Sequence, residues 1–452
     1  MPEFSQRTQH LQRALFVSLA VGLAWGIRGA FGGVVGAMFP GAVLALAFCH
    51  VTGQSAMMRW MPVLATVTAI GIGAGGEMSY GILHGYAKSD TFPNYTYGIL
   101  ALICQGGAWG VFGCAAFGLV LEQRTLRLHE VTTLVGAVLG CGYLFYHLVV
   151  TLLGFDINPP RSNLMVGYLG GAIGLFIWLI VNGKRLGLRA ATCGFIAFGL
   201  GMAGGRVLGN VSTHLPFSVP EWTVMETSCG MIAGFLFAFG MLGVHFKDAP
   251  HHPAYIWLSA YAIFFVLGGI PLIHRITRFE TEDTLARWTE RLHGYSAPAA
   301  MAHTLLTTVN VLCIMALLGA CVWLYLHHRR ATRFGAMPTI MLCFIMLLLQ
   351  NCTSLYFYTP RGAGVNMIDV FWLILALLVV HAVIFRKRPL PLPDAEHVAF
   401  SWQRWVGFAM LVLGVIIFTA SLVNGETTMV SANTRWPVWS HSDLPVVRSV
   451  SR

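Results

Sequence analysis

The sequence predicts an all-α integral membrane protein, because of its composition, its recurring apolar runs and the placement of its charges. Of the 452 residues, 56% are hydrophobic and 10% are charged, whereas about a quarter of the residues of a soluble domain are charged. Apolar runs of about twenty residues, the length of a helix that crosses a bilayer, recur along the whole chain. The formal charge of +10 comes from short basic clusters between these runs. Such clusters are typical of membrane topology and argue against a nucleic-acid partner.

The apolar runs predict about thirteen membrane-spanning helices, each long enough for a bilayer. They are expected near residues 12–27, 34–51, 61–87, 97–121, 132–155, 164–183, 190–210, 223–245, 254–274, 300–326, 337–358, 366–386 and 404–424. The first two are ambiguous, because residues 14–51 could also form one overlong tilted helix without a break at "IRGAFGG".

Positive charge selects between these two interpretations. Lys and Arg are concentrated at residues 124–127, 184–189, 329–333 and 386–404. Loops rich in Lys and Arg lie in the cytoplasm, and counting back from them places Arg7 and Arg13 there only if the chain turns between two helices. We therefore expect a cytoplasmic N-terminus and a periplasmic tail, residues 425–452.

Glycine divides the predicted membrane region into two modules, since 40 of the 50 glycines lie in residues 1–245. Glycine lets membrane helices approach closely and break where a cavity needs irregular backbone. The first module, residues 1–250, is expected to hold about eight helices of membrane-spanning length, as hairpins 12–51, 61–121, 132–183 and 190–245. The second, residues 251–424, is expected to hold about five, with an amphipathic segment at 275–298 on the outer surface.

Two stretches of the first module resemble each other: "GIGAGGEMSYG" at 71–81 and "GLGMAGGRVLG" at 199–209. Aligned, they place Glu77 opposite Arg206, each directly after a Gly-Gly pair. Opposite charges at equivalent positions of packed hairpins predict an ion pair between them. Glycine-rich helices also resemble one another by composition alone, so common ancestry of the hairpins stays open.

The polar residues of the predicted spans and turns crowd towards the outer face. They are Arg28, Glu77, His84, Lys88, His147, Asp156, Arg161, Arg206, His214, Glu226 and Arg361. Ionisable groups in membrane spans usually face a cavity, pair with each other or mark a pathway, and arginine holds carboxylate, sulfate or phosphate by two hydrogen bonds. The expected substrate-binding residues are Arg28, Glu77, His147, Arg161, Arg206, Glu226 and Arg361. The alternatives are interface anchors for Lys88, Arg161 and Arg361, a structural pair for Glu77 and Arg206, a carboxylate that suits a helix N-terminus for Glu226, and a hydrogen-bonded core residue for His147.

Arg28 lies between glycines at 26, 29, 32 and 33, which would let neighbouring helices approach it closely. This pattern predicts that Arg28 faces an outward-open pocket, near Glu77 and at least one of Arg161, Arg206 and Glu226.

Known catalytic, cofactor and metal motifs are absent from the sequence. It holds no GxxxxGK[ST] and no GxSxG, and "HEVTT" at 129 lacks the second histidine of a zinc motif. The His pairs at 251–252 and 327–328 flank the inner ends of predicted helices and are interpreted as juxtamembrane residues, and the ten cysteines lie in apolar segments without a CxxC. We therefore expect no metal, no cofactor and no catalytic residue that a motif identifies.

The combination of "WGIRGAFGG", "GAMFPGA", "GGEMSYG", "PPRSN" and "EWTVMETSCGMIAGF" resembles a family of bacterial glycine-rich polytopic inner-membrane proteins without a known activity. The resemblance covers roughly residues 20–240. It implies a multi-pass protein of the bacterial inner membrane and brings no activity with it.

Three functions are compatible with these features. The first is a secondary transporter for a small anionic solute such as a sugar acid or other carboxylate. The second is a membrane-embedded enzyme with an outward-facing site for a lipid-linked or periplasmic glycan, and the third is a non-catalytic membrane subunit. A polar or small-residue path to the inner face, along Gly98, Gly107, Gly110, Gly171, Gly174 and Gly234, would favour transport, whereas a Leu/Phe plug would favour the enzyme. The expected partners are the lipid bilayer and the anionic solute, and the oligomeric state stays open.

Overall fold

The computed structural model describes most of the first predicted module and two helices of the second. The described residues are 6–28, 33–78, 80–122, 126–217, 219–242, 262, 269–270, 285–286, 289–290, 292–330, 374–375 and 402–425. Within these ranges the chain is helical and contains no strand. The all-α fold class is confirmed for this part of the chain.

The helices follow the apolar runs. They are α1 (Gln6–Arg28), α2 (Val34–Thr52), α3 (Ser55–Gly75), α4 (Gly81–Tyr86), α5 (Phe92–Leu121), α6 (Leu128–Tyr146), α7 (Leu164–Val181), α8 (Arg185–Ser212), α9 (Glu221–Met241), α10 (Pro298–Arg330) and α11 (Trp402–Val423), and a π-helical segment, His147–Leu152, continues α6. Among the described residues, eight segments are long and apolar enough to cross a membrane: Thr8–Arg28, Val34–Thr52, Phe92–Leu121, Leu128–Leu152, Leu164–Val181, Arg185–Ser212, Glu221–Met241 and Trp405–Val423. Their length and hydropathy suit a multi-pass membrane protein.

The ambiguous first region consists of two helices, as the charge pattern predicts. α1 ends at Arg28 and α2 begins at Val34. The predicted span 61–87 is wrong at its end, because α3 stops at Gly75 and a turn leads into the short α4. The Gly75-Gly76 pair explains this end: a Cβ atom at Gly76 would lie 2.4 Å from the carbonyl oxygen of Gly33. The turn thus packs its backbone directly against the start of α2.

Several predicted elements fall outside the described residues. These are the spans 254–274, 337–358 and 366–386, most of the segment 275–298, the tail from residue 426 and the site residue Arg361. The count of about thirteen spans of bilayer length and the division into two modules at residue 250 therefore stay predictions.

Glycine brings α5 into backbone contact with the helices on both sides. A Cβ atom at Gly71 of α3 would lie 2.5 Å from the Cα of Gly113 on α5, and one at Gly194 of α8 would lie 2.4 Å from the Cβ of Cys114. Contacts this short require glycine, as is common where membrane helices pack tightly. The close packing that the glycine content predicts is thus observed.

The short connections make successive helices of the first module run in opposite directions, which gives the bundle two ends. We call one the site end: it contains the C-terminus of α1 and residues 76–91, 153–163 and 213–220. The connections of the site end contact each other, since Tyr86 Oη donates to the carbonyl of Pro159 at 3.1 Å and Tyr97 Oη donates to that of Ile157 at 2.7 Å.

The opposite end holds Lys184 and Arg189, two of the basic residues that the sequence predicts to be cytoplasmic. Lys184 Nζ forms an ion pair of 2.8 Å with Glu130, and Arg189 Nη2 donates to the carbonyl of Gly240 at 2.7 Å. α11 ends at the site end, because Asn424 donates to the carbonyl of Ala87 at 2.9 Å.

Candidate functional site

A crossing of α1 and α9 builds the site. A Cβ atom at Gly230 of α9 would lie 2.9 Å from the Cα of Gly22 on α1 and 2.5 Å from the carbonyl oxygen of Val21. Arg28 follows Gly22 along α1 and Glu226 precedes Gly230 along the antiparallel α9. Both side chains consequently reach the same level at the site end.

Arg28 and Glu226 form a buried ion pair. Arg28 Nη2 lies 2.6 Å from Glu226 Oε1, and the side chains are 2% and 3% exposed. The same nitrogen donates to Tyr80 Oη, and Tyr80 Oη donates to Glu226 Oε1 at 3.2 Å. A buried ion pair is tolerated when additional hydrogen bonds satisfy its partners. Tyr80 supplies one such bond to each side chain, whereas Arg28 Nε and Glu226 Oε2 have no hydrogen-bond partner among the described residues.

Aromatic rings enclose the guanidinium of Arg28. Its central carbon lies 5.4 Å from the ring centroid of Trp25 and 5.2 Å from those of Tyr80 and Trp109, within the range of cation–π attraction. Trp222, which is 43% exposed, stacks on Tyr80 with a centroid distance of 6.2 Å. Trp222 is therefore the outermost ring of this enclosure.

A second buried guanidinium lies at the same end. Arg206 of α8 is 1% exposed and forms an ion pair with Glu221, the first residue of α9. Lys88 Nζ lies 2.9 Å from the same carboxylate oxygen. Glu221 is 30% exposed, so this pair borders the surface while Arg28 and Glu226 lie inside.

His84 lies between the two ion pairs and is completely buried. Its ring meets Tyr80 edge-on at 5.1 Å and Trp222 at 5.7 Å between centroids. Burial lowers the pKa of His84, and the positive charges of Arg206 and Arg28 lower it further. The imidazole is therefore neutral at pH 7. Arg28, Tyr80, His84, Arg206, Glu221 and Glu226 are called the arginine cluster below.

Several buried nitrogens of the arginine cluster are unused. Arg28 Nε, Arg206 Nε and both ring nitrogens of His84 have no hydrogen-bond partner within the described part of the chain. Buried polar groups in native proteins are nearly always paired, and an exception calls for an explanation such as a function or a bound molecule. These unused atoms give the arginine cluster the capacity to hold a polar ligand.

Two layers of buried aromatic rings separate the arginine cluster from the opposite end. In the first, Trp25 lies 5.6 Å from both Trp109 and Phe198 between ring centroids. The second layer consists of Phe48, Phe117 and Phe237, with centroid distances of 5.6 to 6.0 Å and no exposed surface.

The glycines that the sequence predicts along a polar path are packing positions instead. A Cβ atom would meet another segment at 3.3 Å or less at each of Gly98, Gly107, Gly110, Gly171, Gly174 and Gly234. At Gly98 the neighbour is the backbone nitrogen of Ala87, and at Gly110 it is the ring of Phe198. Helix packing thus occupies the predicted path.

The structure brings together three of the predicted site residues, Arg28, Arg206 and Glu226. The proximity of Arg28 to Glu226 agrees with the prediction, but its other polar partner is Tyr80, where the sequence favoured Glu77. The predicted pocket around Arg28 is closed, because its side chain is completely surrounded.

The predicted ion pair between Glu77 and Arg206 is wrong. Glu77 is exposed in the turn after α3, and Arg206 pairs with Glu221. The alignment of the two Gly-Gly pairs fails structurally, since α3 ends at Gly75 whereas α8 continues past Arg206 to Ser212.

The remaining predicted residues do not reach the arginine cluster. His147 is exposed at the start of the π-helical segment and stacks on Tyr143 at 6.2 Å. Arg161 is exposed in the connection 153–163, and Arg361 lies outside the described residues. No group of three potential metal ligands occurs in the portion of the chain with described structure.

Sequence reasoning missed Tyr80, Glu221 and the three tryptophans of the enclosure. Tyr80 stands in "GGEMSYG", and Glu221 and Trp222 stand in "EWTVMETS", both of which stood out as unusual motifs. The available signal was the combination of Trp and Tyr with an ionisable residue in one short stretch. Trp25 and Trp109 gave less signal, because aromatic residues are ordinary within apolar spans.

Comparison of the chain with protein-family models, with curated proteins and with solved structures gave no match.

Proposed function

We propose that the chain is a secondary transporter for a small anionic solute, such as a sugar acid or other carboxylate, in a bacterial inner membrane. The observation that carries the proposal is the pair of buried guanidinium groups, Arg28 and Arg206, at one end of the bundle, each with an unused Nε donor. A planar guanidinium is suited to a carboxylate.

The charges around the arginine cluster favour an anion. Arg28, Arg206 and Lys88 are cationic and face two carboxylates, Glu221 and Glu226, while His84 is neutral. Three positive and two negative charges leave one positive charge among the described groups. This excess favours an anionic solute over a cationic one.

The surrounding rings suit the uncharged part of such a solute. Pockets for small molecules are lined mainly by apolar and aromatic side chains, with a few polar groups that fix orientation. Trp25, Tyr80, Trp109 and Trp222 would provide that lining, and Trp222 marks the entrance from the surface.

We further propose about thirteen crossings of bilayer length, with the site end facing the periplasm. Lys184, Arg185 and Arg189 lie at the opposite end, in agreement with a cytoplasmic location. α9 runs from the site end to the opposite end and α11 runs back, so an even number of crossings connects them. The four spans predicted between residues 254 and 386 satisfy this condition.

The aromatic layers favour a second candidate, an enzyme that acts from the site end on a lipid-linked or periplasmic glycan. An enzyme needs access from one side only, and Phe48, Phe117 and Phe237 close the route to the other. For a transporter, the same layers must separate during the transport cycle.

Purified protein distinguishes these candidates. A thermal-shift screen with gluconate, glucuronate, galacturonate, lactate, phosphate and sulfate should identify an anion that raises the unfolding temperature. In proteoliposomes, preloading with that anion should then drive counterflow of the labelled anion into the lumen. Stabilisation without counterflow would favour the enzyme, and no stabilisation by any anion of the panel would favour the non-catalytic subunit.

A further inference from the structure

We propose that Glu226 is the proton site of this transporter, and that the anionic solute and one proton bind together. This inference rests on the proposed function and names its coupling ion. It follows from the ion pair in which Glu226 takes up hydrogen-bond donors of the Arg28 guanidinium.

Glu226 competes with a solute for the guanidinium of Arg28. Nη2 of Arg28 donates hydrogen bonds to both Glu226 and Tyr80. A second carboxylate at Arg28 would place two negative charges against one positive charge in a completely buried space. Like charges this close in a buried site disfavour each other strongly, so the anion cannot join the pair as it stands.

Protonation of Glu226 removes this conflict. The anion takes the place of Glu226 on Arg28, and the proton forms an O–H bond on the Glu226 carboxylate. One negative charge and one positive charge enter together, so the total charge of the buried site is unchanged. The neutral Glu226 can donate to Tyr80 Oη, which lies 3.2 Å from Oε1.

The other charged and titratable groups near Glu226 fit this assignment. Arg28 faces it from α1, Tyr80 from the connection between α3 and α5, and Cys229 lies one turn further along α9. His84 stands behind Tyr80 and Trp222. Arg206 of α8 is already paired with Glu221. Lys88 and contact with solvent also stabilise the negative charge of Glu221. Glu226 is therefore the carboxylate of the arginine cluster with a single cationic partner.

Proton uptake by the wild-type protein tests the inference without a mutation. The anion selected by the thermal-shift panel is added to purified protein in weakly buffered detergent solution, and the pH is recorded. We expect one proton to be taken up per anion bound. Where Glu226 is ionised, the affinity should rise about tenfold for each unit by which the pH is lowered.

The variant Glu226→Gln provides a second test of the proton site, because glutamine imitates the protonated carboxyl group. In proteoliposomes this variant should keep counterflow of the anion, bind it independently of pH and lose accumulation driven by a proton gradient. Glu77→Gln, which changes an exposed carboxylate at the same end, should keep proton-driven accumulation.

The outcomes separate this inference from the proposed function. Wild-type protein without counterflow for any anion of the panel contradicts the transporter itself. Counterflow without proton uptake, or proton-driven accumulation that survives in Glu226→Gln, leaves the transporter standing and refutes Glu226 as the proton site.

Discussion

Gly230 of α9 touches the backbone of α1 at Gly22, and this crossing sets the position of Glu226 against Arg28. A Cβ atom at Gly230 would lie 2.5 Å from the carbonyl oxygen of Val21 and 2.6 Å from the Cβ of Trp25. Trp25 in turn packs on the guanidinium of Arg28 at 5.4 Å. Glycine at this crossing therefore controls both the ion pair and one wall of its enclosure.

Gly230→Val should destabilise the protein because the new side chain has no space. Overpacking of a tight interior costs about 1–3 kcal/mol, and here it would also move Trp25 away from Arg28. Thermal unfolding in detergent measures the effect. Gly136→Ala on α6 is the matched control, since a Cβ atom there meets nothing within 4 Å, and its unfolding temperature should equal or exceed that of wild type.

The Arg28–Glu226 pair should show strong coupling in a double-mutant cycle. Glu226→Leu alone strands a buried guanidinium and Arg28→Met alone strands a buried carboxylate, and loss of one partner of a buried pair costs about 3–5 kcal/mol. Arg28→Met combined with Glu226→Leu removes both charges and should recover most of this loss, because an apolar pair of similar volume is often neutral or stabilising. Additive effects of the single substitutions would contradict the buried pair.

Arg28→Lys should abolish binding of the anion while the protein remains folded. Lysine keeps the charge that Glu226 requires but lacks the planar fork of guanidinium donors. The measurement is the thermal shift with the anion selected by the panel, together with unfolding without it. Arg161→Lys, at an exposed position of the same end, should bind normally. Normal binding by Arg28→Lys would reduce Arg28 to a structural role.

The sequence predicted the all-α class and most of the described helices, but only part of the site. The periodic apolar runs and the alternating basic loops predicted the break between α1 and α2, because both follow from bilayer thickness and charge. The pairing of charges could not be predicted in the same way. It depends on where a helix ends and on the crossing of two segments, and neither the stop of α3 at Gly75 nor the contact of Gly22 with Gly230 is visible in local composition.

The burial of the arginine side chains was the second property that the sequence could not predict. Arg28, Arg161 and Arg206 each follow or precede a glycine or a proline in the sequence, yet of these three only Arg28 and Arg206 are enclosed. The difference comes from Trp25, Tyr80 and Trp109, which reach Arg28 from three separate segments.

The two ends of the bundle should differ in their accessibility from outside the cell. Thr213 and Gly425 are exposed at the site end, and Asn182 is exposed at the opposite end. Single cysteines are introduced at these positions and treated with a membrane-impermeant maleimide on intact cells. Thr213→Cys and Gly425→Cys should react at once, whereas Asn182→Cys should react only after the membrane is permeabilised.

This labelling tests the fold of the bundle and its orientation in the membrane independently. Reaction of Asn182→Cys alone would invert the proposed orientation but leave the two-ended bundle intact. Reaction of Thr213→Cys without Gly425→Cys would contradict the placement of α11, because the contact of Asn424 with Ala87 requires its C-terminus at the site end. The native cysteines whose burial the structure describes are buried or partly buried, so these should give little background.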